Sequence, residues 1–150
     1  MGSDRVVCAV AARELYGEPT IVCDFGTTTS LSVVGPKGSF LGGAVAPGLG
    51  VSMEALCESA AQLAEVRMQV PSSAIGRTTA DAIRAGVVLG EAARVDGLVD
   101  AISDELGCEA HLVATGRYAK TVCPACAHDF DIREDLALQG LRIIYRLNTR

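Results

Sequence analysis

Large aromatic side chains are scarce here, with three Phe, three Tyr and no Trp among 150 residues. A core without big rings must be built from closely packed Ala, Val, Leu and Ile. At this length one independent domain is feasible, burying roughly 68–70% of the surface that its unfolded form exposes. Basic residues are also in short supply, with 13 Lys and Arg against 18 Asp and Glu and a net charge of −5. The few cations are scattered and form no stripe, which argues against nucleic acid as a partner. No apolar run reaches the ~18 residues of a membrane span, and no charged-then-apolar leader opens the chain. The expectation is a soluble, cytoplasmic protein with no membrane partner. Six cysteines without a secretory signal read as reduced thiols. Internal repeats and low-complexity linkers are absent too.

What is present alternates in period. Residues 4–16, DRVVCAVAARELY, are apolar over most of a helical cylinder and stop at Gly17, a good helix-ending residue. Residues 20–24, 28–34 and 39–45 read as three strands, with Gly35-Pro36-Lys37-Gly38 as the hairpin turn between the last two. Ala46-Pro47-Gly48-Leu49-Gly50 breaks the pattern. Ser52 can then cap a helix over 53–63 with apolar residues at 53, 56, 60 and 63. Residues 66–70 suit a short extended piece before Pro71. Thr78 or Thr79 starts a long helix towards Leu106, in which Gly86 and Gly90, four apart, let another backbone pack closely. The rest reads as a strand at 111–114, a turn at Thr115-Gly116, a short helix at 117–122, a short strand at 130–132 and a final amphipathic helix at 135–147.

The most informative string is Asp24-Phe25-Gly26-Thr27-Thr28-Thr29-Ser30, where an apolar strand runs into a turn of small hydroxylated residues. Asp24 at a buried strand end suits a shared cation. Gly26 allows close backbone approach, and Thr27 to Ser30 offer hydroxyls and N–H groups to anionic oxygens. The same string also makes plain turns, in which Asp accepts backbone N–H bonds and Gly supplies positive φ. Cys123-Pro124-Ala125-Cys126 with His128 invites a zinc or redox reading, but structural zinc wants four ligands and only one such pair is present. Cys8, Cys23, Cys57 and Cys108 lie in apolar patterns, where a thiol behaves as a small hydrophobe.

A three-stranded meander followed by alternating helices and strands resembles one ribonuclease-H-like lobe of the actin, sugar kinase and heat-shock ATPase superfamily, an α/β fold. Asp24-Phe25-Gly26-Thr27, Leu41-Gly42-Gly43-Ala44-Val45-Ala46-Pro47-Gly48, Ile75-Gly76-Arg77-Thr78-Thr79, Ala114-Thr115-Gly116 and Leu136-Ala137-Leu138-Gln139-Gly140-Leu141 follow in the order and spacing of type III pantothenate kinases. Gly2-Ser3-Asp4-Arg5 resembles that family's Gly-x-Asp-Arg substrate motif. The resemblance covers nearly the whole chain, divided into a substrate-motif helix at 1–17 and a carboxy-terminal lobe at 18–150.

That resemblance implies the ATP-dependent phosphorylation of pantothenate to 4′-phosphopantothenate, a step of coenzyme A biosynthesis, with Mg²⁺ and a monovalent cation, K⁺ or NH₄⁺. It implies Asp4 as the general base. Gly2, Ser3, Asp4, Arg5 and Thr79 would bind pantothenate, Thr27 would contact ATP, and Asp24 would hold the monovalent cation. An N-cap at Ser3 or Asp4 is the plain structural role for those residues. The family's Asp-x-Gly-Asn-Thr loop, which holds ATP phosphates, does not occur here. A partner chain carrying that loop is therefore expected, in an assembly of two unlike chains that pairs again as a dimer of heterodimers. Three departures bear on activity: Thr78 stands for the usual asparagine, Thr28 for alanine and Arg117 for a second glycine. Ala64 also replaces a common proline. Thr78 and Arg117 fit the alternative, a noncatalytic regulatory or scaffolding subunit of such a kinase, while intact Asp4 and Asp24 fit catalysis.

Overall fold

The computed structural model describes residues 2–59 and 66–149. Helix α1 (Ser3–Tyr16) leads into strands β1 (Thr20–Phe25), β2 (Thr28–Val34) and β3 (Phe40–Pro47), followed by helix α2 (Leu49–Ser59). Helix α3 (Thr79–Arg84) passes through a π-helical turn (Ala85–Leu89) into α4 (Gly90–Leu106). Strand β4 (His111–Thr115), helix α5 (Ala119–Val122), a 3₁₀ turn (Cys123–Ala125), strand β5 (Asp131–Ile132) and helix α6 (Leu136–Asn148) complete the described chain. The expected meander followed by alternating helices and strands is what the chain forms.

The sheet order is β3-β2-β1-β4-β5, with β1 antiparallel to β2 and parallel to β4. Strand alternation divides β1 between two helical layers. Ile21, Cys23 and Phe25 point into the larger core with Leu31, Leu49, Val88, Val95 and Val99, whereas Val22 packs with Cys8, Ala11, Ala12 and Leu136 under α1 and α6. The second layer is thin because its side chains are small. Gly140 is the extreme case, since a Cβ there would meet Val7 O at 2.1 Å, so α1 and α6 touch through their backbones.

Some boundaries differ from expectation for local reasons. Helix α2 begins at Leu49 rather than Met53, because Gly48 donates its N–H to Thr27 O at 3.1 Å and Ser52 N–H already bonds Gly48 O at 3.0 Å. Ser52 is therefore inside the helix and not its cap. The expected end of that helix at Leu63, and Ala64 after it, lie outside the described residues. Residues 66–70 carry no strand. Thr78 does cap α3, accepting from Asp81 N–H at 3.1 Å and donating to Asp81 Oδ2 at 2.8 Å. Among the described residues nothing stands within 4 Å of a Cβ added at Gly86 or Gly90. The short helix expected from Arg117 starts at Ala119, because Arg117 and Tyr118 form a turn.

Candidate functional site

The site forms where β1 ends beneath the first turn of α1. Cys8 is buried against β1, and Asp4, four residues earlier, lies on the same helix face one turn away. On the strand, Asp24 lies two residues beyond Val22 and so faces the same layer. These two periodicities bring the carboxylates of Asp4 and Asp24 together. Burial raises the pKa of Asp24 above its ordinary 3.8, and the charge of Asp4 raises it further. The Cys8 thiol beneath them is pushed up to about 11, first by burial and then by Asp24 and Asp4.

Neither carboxylate is used up by the protein. Gly2 occupies the N-cap position of α1 and no side chain caps the helix, so Ser3 and Asp4 do not play that structural part. Asp4 is exposed, and Asp24 is half-buried with no hydrogen-bond donor from another described residue. In register with Asp24 stand Ser30 on β2 and Thr115 on β4, both buried, whose side chains share its face. A monovalent cation fits this donor set of one carboxylate, two hydroxyls and nearby carbonyls.

Arg5 is anchored to the sheet. Its Nε donates to Ser32 Oγ and its Nη2 to Leu31 O, both at 3.0 Å, and its guanidinium lies 5.8 Å from the Phe40 ring centroid. Gly43 makes room, since a Cβ there would come within 3.0 Å of Arg5 Nη2. Arg5 thus clamps α1 to β2 through Nε and Nη2. Thr79 stands at the start of α3, and Ile83 of that helix packs into the larger core on the other side of the sheet from α1. Within the described chain it is not brought to Asp4 and Arg5.

Thr27 tips the turn between β1 and β2. Gly26 N–H closes that turn on Thr28 O at 3.1 Å, while a Cβ on Gly48 would stand 2.4 Å from Thr27 O and 2.6 Å from Gly26 O. The start of α2 is therefore pressed against the Thr27 turn. Beneath it, buried Glu91 bridges Thr29 Oγ1 and Arg94, which also donates to Pro47 O at 2.7 Å. Sequence reasoning missed this pair. Its signal was a carboxylate within a buried apolar stripe, Val88, Ala92 and Val95, with an arginine three residues on.

Cys123 and Cys126 are both half-buried, packed against the larger core. His128 Nε2 pairs with Asp100 Oδ1 at 2.8 Å, and among the described residues no group of three His, Cys, Asp or Glu is arranged to hold a metal. Burial pushes Cys123 up to about 11 and Cys126 to about 12. A hollow of about 1170 Å³ lies at the far end of the sheet, where His111, at the start of β4, pairs with Asp131 and His128 with Asp100. Asp4, Asp24 and Thr27 do not line this hollow, and of the three Asp4 and Thr27 are exposed.

Comparison with known proteins places the chain. A model described as type III pantothenate kinase matches residues 1–101. The type III pantothenate kinase of Acidothermus cellulolyticus is 44% identical over 149 residues, covering 99% of this chain and 58% of the relative. That of Thermomicrobium roseum is 45% identical over 145 residues, covering 97% and 56%. The chain spans somewhat under three fifths of the length of these relatives. Among solved structures, a Campylobacter jejuni protein described as a Baf family transcriptional activator superposes with a TM-score of 0.68 at 18% identity, covering 95% of this chain and 64% of that one. The ADPNP-bound activator of 2-hydroxyisocaproyl-CoA dehydratase from Clostridium difficile gives a TM-score of 0.55 at 14% identity, covering 91% and 62%. The expected α/β fold is thus shared with these structures.

Proposed function

The chain belongs to the type III pantothenate kinase family, and from that membership we propose that it is the pantothenate-facing subunit of such a kinase. The observation that carries this reading is the meeting of Asp4 and Asp24, two carboxylates without protein donors, at the end of β1. In the proposed reaction Asp4 accepts the proton of the pantothenate primary hydroxyl. That oxygen bonds to the γ-phosphorus of ATP, the bond from phosphorus to the β–γ bridging oxygen breaks, and ADP leaves. Positioned proton transfer typically contributes ~10²–10⁴-fold, the rest of phosphoryl-transfer catalysis being alignment and charge stabilisation.

Arg5 orients the pantothenate carboxylate through its remaining N–H groups. The exposed Thr27 contacts ATP from the turn that Gly48 and Glu91 brace. Asp24, with Ser30 and Thr115, holds the monovalent cation, which would offset the cost of a half-buried carboxylate. Mg²⁺, when bound with ATP, supplies charge neutralisation of the phosphates. Thr79 serves a pocket completed by a second copy, since α1 and α3 flank opposite faces of one sheet. In this proposal a partner polypeptide brings the Asp-x-Gly-Asn-Thr loop.

Replacing Asp4 by Asn in the reconstituted kinase tests the reading. Turnover of pantothenate falls by about 10²–10⁴-fold while the complex still assembles. Unchanged turnover would assign the chain to a scaffolding role.

A further inference from the structure

The turn that follows β4 sets a cation beside the Thr27 turn. Gly116 leaves Thr115 with φ +93°, and a Cβ there would stand 2.5 Å from Asp24 Oδ1 and 2.7 Å from the Phe25 nitrogen. Tyr118 N–H then donates to Phe25 O at 3.1 Å. Arg117 is thus fixed between two backbone contacts to the end of β1. Its guanidinium carbon lies 4.8 Å from the centroid of the Tyr118 ring, which holds the long side chain in place. Arg117 is exposed and forms no ion pair with any described residue.

The platform itself reaches the start of α2. A Cβ on Gly50 would meet Tyr118 Oη at 2.9 Å and the ring carbons at 3.6 Å, so the ring lies against the first turn of that helix. No acidic residue stands in that turn. Guanidinium, tyrosine ring, helix start and Thr27 turn therefore lie along one edge, with the Asp24 carboxylate behind Gly116. β1 and β4 are parallel neighbours, so the turns bearing Thr27 and Arg117 leave adjacent carboxyl ends, the place where open parallel sheets bind ligands. An arginine fork without a carboxylate partner suits phosphate oxygens.

We propose that Arg117, steadied by Tyr118, grips the phosphate chain of the nucleoside triphosphate. The inference rests on the kinase reading above and gives this chain a phosphate contact of its own.

Calorimetric titration of the full chain with ATP, tripolyphosphate and adenosine tests it. Arg117→Gln weakens ATP and tripolyphosphate by about tenfold or more and leaves adenosine and the melting temperature unchanged. Arg117→Lys recovers part of the loss, and Tyr118→Leu weakens the same two ligands less. Equal affinity of Arg117→Gln and wild type for tripolyphosphate overturns the proposal, as does a wild-type chain that binds no tripolyphosphate. Pantothenate phosphorylation by the reconstituted kinase, assayed in parallel, reports separately on the kinase reading: a chain that loses phosphate binding with Arg117→Gln yet never supports turnover sinks that reading alone.

Discussion

Thr29 donates its hydroxyl hydrogen to Oε1 of Glu91, a residue 62 positions further along the chain and buried in the opposite helical layer. Arg94 donates to the other oxygen of that carboxylate and, at 2.7 Å, to the carbonyl of Pro47. One acid therefore ties the beginning of β2 to the end of β3, directly below the Thr27 turn.

Removing one member of a buried ion pair leaves the other charge without its partner, which costs more than the pair contributes. Arg94→Ala is expected to destabilise the chain by about 3 kcal/mol. Replacing both Glu91 and Arg94 by Leu restores most of the loss. Urea midpoints of the single and double variants check this, and a double variant as unstable as Arg94→Ala would show that the charge is not what matters.

Asp24 carries a pH dependence whose sign follows from its environment. Burial first, and the charge of Asp4 second, raise its folded pKa above the ordinary 3.8. The fold therefore prefers the protonated form: there is no penalty below about pH 3.8, and a penalty appears as pH rises through the raised folded value. Asp24→Asn should melt at a higher temperature than wild type near neutral pH, with the gap closing on acidification. Adding K⁺ should narrow the gap at neutral pH by stabilising wild type alone. A variant less stable than wild type at neutral pH contradicts this account.

How much of this was legible depends on whether a local rule decides the outcome. Strand alternation and the Asp24-Phe25-Gly26-Thr27 string located β1, its turn and the half-buried carboxylate at the strand end, because a period of two and a glycine turn are local. The start of α2 was not legible. The backbone of Gly48 is taken by Thr27 and Gly26, a contact between distant residues, and this moves the helix start back to Leu49. Gly86 and Gly90 leave room for a backbone that the described residues do not supply, whereas Gly140 makes such a contact unannounced. Glycine spacing says that a backbone can approach; only the fold says whether one does. Arg5 is similar, since its bonds to Ser32 and Leu31 depend on sheet register.

The α1–α6 contact gives a sharp packing test. A methyl group at position 140 would lie 2.1 Å from Val7 O and 2.7 Å from a Val7 side-chain carbon, and the obstacle is backbone that cannot rotate away. Although alanine favours helix by up to about 1 kcal/mol over glycine, Gly140→Ala must push α6 off α1 and should lower the melting temperature. Overpacking of this kind typically costs about 1–3 kcal/mol. Faster hydrogen exchange in both helices would accompany it, and unchanged exchange in α1 would argue against direct contact.

Thiol chemistry separates the structural reading of Cys123 and Cys126 from a metal or redox reading. Only the thiolate is nucleophilic, and burial holds these two thiols near about 11 and 12, with Cys8 also near about 11 and Cys23 well above its ordinary value. Cys108 is exposed and should be the first of the six to react with a disulfide reagent in the native state. Reaction at Cys123 should rise about tenfold for each pH unit towards its raised value, because the thiolate fraction does. Zinc should leave the rate unchanged, since His128 is turned to Asp100 and no third ligand among the described residues joins the pair. Protection of Cys123 and Cys126 by zinc, mapped by mass spectrometry of the labelled chain, would overturn that expectation and reopen a metal site on the far side of the sheet from Asp4.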